Sequence, residues 1–130
     1  LFNTKKKKTD RIVEPLVNKS IPWASTYGNH DRSFQVSPHA LLEKEQSFNK
    51  EGKKLAWTDS SLPEPDAEVG TSNYFIPIYS SSGGGNPELV MLLWFFDSRD
   101  GQVFQQKDAT GKDIPINDFV APEVYYLLTT

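Results

Sequence analysis

The chain has 130 residues, 37% of them apolar and 24% charged, with a net charge of −3 and an isoelectric point of about 5.3. That is the size and composition of one ordinary folded domain, and it argues against a disordered chain and against an overall positive field that would draw nucleic acid or an acidic membrane. Cysteine is absent, which excludes disulfides, thiol catalysis and cysteine-bound zinc in this segment, and no apolar run approaches the roughly 20 residues that span a bilayer.

Residues 5–20 read as a helix. Ile12, Val13, Leu16 and Val17 fall on one side of a 3.6-residue period. Pro15 inside that pattern predicts an end or a kink, and the run Lys5–Lys8 reads as a solvated face. Residues 21–27 read as a short buried strand entered through Pro22, and residues 28–33 as a polar loop. Ser37 then suits an N-cap and Pro38 the first turn of a second helix reaching Gln46, with Ala40, Leu41 and Leu42 on its buried side.

Residues 48–69 are polar and contain Pro63 and Pro65, which predicts a long surface loop with little structure of its own. Residues 71–79, TSNYFIPIY, are aromatic and β-branched and predict a strand, with Pro77 at an edge or a bulge. The tract SSSGGGNP predicts a flexible connection. Residues 88–97, ELVMLLWFFD, form the strongest strand pattern in the chain, and the unbroken apolar run predicts burial on both faces. The two strands read as a hairpin with a variable tip. Residues 98–116 read as loop, with turn signals at Asp100-Gly101 and Thr110-Gly111, and residues 122–128 begin a helical pattern. The chain opens on Leu1, and Thr130 follows directly on an apolar stretch, so a piece of a longer polypeptide is expected.

One stretch carries chemistry. STYGNHDRSF, residues 25–34, places Gly28, Asn29, His30 and Asp31 at the exit of the first predicted strand. Side chains at strand ends face a crevice while a rigid scaffold holds them. An Asn amide oxygen suits a divalent metal. An imidazole donates a proton or steadies negative charge, and a neighbouring carboxylate fixes its tautomer. An ordinary polar turn is the alternative, because Gly, Asn and Asp are turn formers.

WASTYGNHDRSF resembles the Gly-Asn-His-Asp/Glu signature of the calcineurin-like metallophosphoesterases, in particular the fungal and plant branch that is similar to purple acid phosphatases. GTSNYFIPIYSS at 70–81, LWFFDSRDG at 93–101 and APEVYYLL at 121–128 fit the same family in the same order. The resemblance implies an α/β fold, a piece of a layered α/β/β/α sandwich with mixed sheets, and makes residues 1–130 the middle portion of a phosphoesterase domain. It implies that Asn29 is a ligand to one metal of a two-metal centre of iron, manganese or zinc. It implies that His30 sits over the substrate phosphate and that Asp31 orients it. The implied reaction is hydrolysis of a phosphomonoester by a metal-bound hydroxide. The implied partner is a phosphorylated small molecule or phosphoprotein, with no nucleic acid and no membrane.

The sequence departs from that family in a way that matters. The Asp-x-His, Gly-Asp-x-x-Asp, lone His and Gly-His-x-His blocks that complete the metal centre are missing. His39 reads as a surface or helix-packing residue and Asp97 as structural. A single Asn cannot retain a cation that needs three or more protein ligands, so the isolated chain is expected to bind no metal and to be inactive. Two other readings stand beside this one. The chain is a non-catalytic binding module, with exposed Tyr74, Phe75, Tyr79, Tyr125 and Tyr126 lining a partner groove, or it is a pseudo-enzyme. Asn18-Lys19-Ser20 is a glycosylation sequon that matters only in a secreted protein.

Overall fold

The structure, a computed structural model, describes residues 4–28, 31, 36–60, 69–81, 85–99, 101–117, 119–122 and 124. Its elements are α1 (Thr4–Lys19), α2 (Pro38–Gln46), β1 (Tyr74–Tyr79), β2 (Leu89–Phe95), β3 (Gln102–Lys107) and β4 (Asp113–Pro115). The strands form two separate antiparallel pairs, β1–β2 and β3–β4.

Helix α1 runs through Pro15 without ending there. Among the described side chains of the helix Val13 is buried, whereas Ile12 is 73% exposed and lies off the packed face. The helix stops at a left-handed residue. Ser20 has φ +59°, its N–H reaches the Val17 carbonyl at 3.1 Å, and the Ile21 N–H reaches the Leu16 carbonyl at 2.9 Å. This is a Schellman closure with serine where glycine is usual. Helix α2 starts as the sequence predicts: the Ser37 hydroxyl accepts the Ala40 N–H at 3.1 Å, and Pro38 sits in the first turn, where a missing N–H costs nothing. Leu41 and Leu42 of α2 pack with Tyr27 and Val36 in the apolar core.

The expected mixed-sheet sandwich is corrected. The chain is a small mixed α/β arrangement, and no closed or curled sandwich-like sheet is found among its described residues. Trp23 forms a parallel bridge with Ala56, made by Trp23 N–H to the Leu55 carbonyl and Trp57 N–H to the Trp23 carbonyl. Residues 21–27 therefore run beside 55–58 as a tethered extended segment and not as a strand of a sheet. The neighbouring segment is not the unstructured surface loop its composition suggests. The Asn49 side chain accepts the N–H groups of Leu55 and Ala56, each at 2.8 Å, and donates to the Ala56 carbonyl at 3.1 Å. One amide thus does the work of a pairing strand, and Leu55, Ala56 and Thr58 are buried behind it. Residues 61–68 lie outside the described residues.

Two further expectations change. Residues 98–116 hold β3 and β4, not loop alone. Their turn is set by Asp108, whose carboxylate accepts from the Thr110 N–H and hydroxyl and from the Lys112 N–H; these bonds hold its pKa below the usual range. Strand β2 is also not buried on both faces. Leu89 through Trp94 are all exposed.

Candidate functional site: an exposed apolar ribbon

Asn29 and His30, the expected metal ligand and the expected phosphate-facing imidazole, lie outside the described residues. Asp31 is described and exposed. Its carboxylate accepts the Gly28 N–H at 2.7 Å while its own N–H reaches the Gly28 carbonyl at 3.2 Å, so the two residues close a turn on each other. A cavity of about 380 Å³ opens beside this turn, with Val13, Tyr27, Asp31, Leu41 and Glu45 among its walls.

Glu45 is the polar centre of that region and is buried. Its Oε2 accepts from the Trp23 indole N–H at 3.1 Å, the Ser25 hydroxyl at 2.9 Å and the Thr58 hydroxyl at 2.6 Å, and its Oε1 accepts from the Tyr27 hydroxyl at 3.1 Å. A buried carboxylate held by four neutral donors is a structural hub. Burial, reinforced by the Glu45 charge, pushes the Tyr27 phenol far above its ordinary range, which keeps it a donor at any ordinary pH. Tyr74, whose hydroxyl donates to the Ser25 carbonyl, is pushed up to about 12, chiefly by burial.

Asp97, just past β2, is buried and spent on backbone. It accepts from the N–H groups of Thr71 at 2.7 Å, Ser72 at 3.1 Å and Arg99 at 2.8 Å. The Asn73 amide completes the clamp, accepting the Asp97 N–H at 2.9 Å and donating to the Val69 carbonyl at 2.8 Å. Gly70 is required there: it has φ +88°, and a Cβ would stand 2.8 Å from the Asp97 Cβ. His39 sits on the exposed side of α2 with its Nε2 3.4 Å from Glu43.

These acidic and imidazole groups are turned to different protein partners and do not converge. Among the described residues no three His, Cys, Asp or Glu side chains come together to hold a metal. The described residues thus do not supply the expected two-metal centre.

What the clamp does position is a ribbon. Strands β1 and β2 rise from it as an antiparallel pair with Tyr74 opposite Phe95, Phe75 opposite Trp94, Ile76 opposite Leu93, Pro77 opposite Leu92 and Ile78 opposite Met91. At the foot, Tyr74 is fully buried and its ring stacks on Phe95 at 4.6 Å. This removes Tyr74 from the expected exposed groove, while Phe75 and Tyr79 keep their place in it and Tyr125 and Tyr126 fall outside the described residues. Above the foot the ribbon is open on both sides. One face carries Phe75, Trp94, Phe96, Pro77 and Leu92, with Trp94 lying 5.1 Å from Phe75 and 6.5 Å from Phe96. The opposite face carries Ile76, Leu93, Ile78 and Met91. Ten apolar side chains of β1, β2 and Phe96 are exposed by 37–61%. At about 200 Å² per large apolar side chain, that leaves on the order of 900 Å² of apolar surface open, divided between the two faces. A patch of about 300–600 Å² is the largest that an ordinary monomer carries and is itself often functional.

Sequence reasoning found the hairpin and the exposure of Phe75 and Tyr79, and missed the exposure of β2. It also missed Glu45, although the signal was present: Glu45 follows Leu41 by four residues and so shares the buried face of α2.

No family model, no curated protein and no solved structure matches this chain. Together with the absence of a ligand cluster among the described residues, this overturns the expected membership of the calcineurin-like family, and with it the phosphoesterase activity and the iron, manganese or zinc centre.

Proposed function

We propose that the chain is a non-catalytic binding module whose contact surface is the β1–β2 ribbon and whose partner is an apolar protein segment. The observation that carries this reading is the open ribbon itself, with exposed Phe75, Tyr79, Trp94 and Phe96 on a clamped base. Aromatic side chains present large, rigid contact area at small entropic cost and dominate interface energetics. Neither strand contains a charged residue, so a phosphate backbone would find no cation on it. The partner is therefore of the same apolar character.

The test is to select peptides from a random library against the 130-residue chain and to measure their affinity for variants. Phe75→Ala with Trp94→Ala weakens them by about 30-fold, the loss of about 2 kcal/mol that marks a hot spot. Asn29→Ala with His30→Ala leaves them unchanged. Ligands lost by the second pair and kept by the first, or no ligands at all, would overturn the reading.

A further inference from the structure

The net charge of −3 hides a local excess of the opposite sign. Lys50 and Lys53 pair across a two-residue turn, with the Lys53 N–H to the Lys50 carbonyl at 2.9 Å and the Lys50 N–H to the Lys53 carbonyl at 3.1 Å. Glu51 and Gly52 form its tip, and Gly52 takes φ +73°, a conformation that suits glycine. The turn does not stand free. The Lys53 ammonium meets the Ser20 hydroxyl, which seats the turn against the end of α1, beside Lys19 and Ile21. The Lys54 ammonium lies 4.7 Å over the Trp57 ring. The backbone bonds of Trp23 to Leu55 and Trp57 tie the two segments together.

These contacts make one contiguous corner that shares no residue with the β1–β2 ribbon. Lys19, Lys50, Lys53 and Lys54 are exposed on it, with Glu51 as the acid of the turn. Ion pairs among the described residues join Lys44 to Asp10, Lys107 to Asp113 and His39 to Glu43, and none takes those four lysines. Beside them Trp57 is 39% exposed and Ile21 44%. The corner thus combines unspent cations with an open aromatic and an open aliphatic side chain.

We infer that this corner is an anchor for an anionic lipid surface, with the lysines among the headgroups and Trp57 and Ile21 at the boundary beneath them. Trp settles at the headgroup level, its ring in the apolar boundary and its N–H in the wet layer. A lysine stem lies along apolar surface while its ammonium stays in water. Clustered lysines supply the attraction to acidic lipids. Two features favour a bilayer over other polyanions. Single-stranded nucleic acid is held in a basic groove with aromatic platforms for successive bases, and here one ring and one aliphatic side chain flank an exposed turn. An acidic peptide engages the ammonium groups and leaves Trp57 and Ile21 without an apolar counterpart.

The test is co-sedimentation of the whole chain with vesicles of phosphatidylcholine alone, and with vesicles in which about a third of the lipid is phosphatidylserine. The chain partitions onto the anionic vesicles and not onto the neutral ones, and added salt releases it. Lys53→Gln with Lys54→Gln lowers the partition about 30-fold, two lysines at roughly 1 kcal/mol each near an acidic surface. Lys112→Gln, outside the corner, changes it little. Trp57→Ala lowers it as well, and Ile21→Ser does the same at a second exposed site should the first variant fail to fold. Lysine-dependent partition that neither variant weakens overturns the anchor. So does equal binding to neutral vesicles, or no partition at all. Partition that survives the lysine pair and is lost with Phe75→Ala and Trp94→Ala belongs to the ribbon and overturns the corner. Binding to polyglutamate or to a single-stranded oligonucleotide, without partition onto vesicles, assigns the lysines to another polyanion and also overturns it.

Discussion

Glu45 shows how one side chain can organise a region that composition alone describes as polar loop. It draws the indole of Trp23, the hydroxyls of Ser25 and Thr58 and the phenol of Tyr27 to one point. Removing an acceptor strands its buried donors, and each stranded donor costs about 1–3 kcal/mol. Glu45→Ala is expected to lower unfolding stability by about 3 kcal/mol or more, measured by denaturant titration, with Glu45→Gln less harmful because the amide oxygen still accepts. Sequence reasoning reached Leu41 and Leu42 through their spacing but passed over the acid on the same face, because buried glutamates are rare without a charged partner. At residues 28–31 the resemblance gives a chemical role to Asn29, His30 and Asp31; Asn29 and His30 lie outside the described residues, and Asp31 closes a turn on Gly28. A motif so short is also what turn chemistry selects.

Elements were legible where local chemistry decides them. The Ser37-Pro38 start of α2 and the β1–β2 hairpin followed from capping and alternation. Elements held by distant partners were not legible. The extended segment 21–27 depends on Leu55 and Trp57 for its bonds, and its order is visible only once Asn49 has folded residues 55–56 back. Strands β3 and β4 were hidden because β4 has three residues and β3 spends five steps against two on β4, with Gln105 at φ +56° inside the bulge. The end of α1 gives the sharpest element-scale expectation. A non-glycine residue in the left-handed region costs on the order of 1 kcal/mol. Ser20→Gly is expected to raise stability by roughly 0.5–1 kcal/mol, seen as a higher denaturation midpoint at unchanged slope, although it gives up the exposed contact from Lys53 to the Ser20 hydroxyl.

The whole molecule inverts one sequence-level inference. An unbroken apolar strand reads as the centre of a layered fold, and the pattern of β2 was right about its chemistry. The pattern cannot say what covers such a strand, and the described residues leave Leu89 through Trp94 exposed. The Asp97 clamp and the Tyr74–Phe95 stack fix the ribbon's foot, and the rest stands open. The central claim is that the molecule acts through this ribbon and not through the turn at residues 28–31. Backbone hydrogen exchange of the whole chain, with and without a selected peptide, tests it most directly. The account predicts slowed exchange across 74–79 and 89–96 with unchanged exchange at Gly28 and Asp31. Protection confined to Gly28 and Asp31, with the ribbon unaffected, would contradict it.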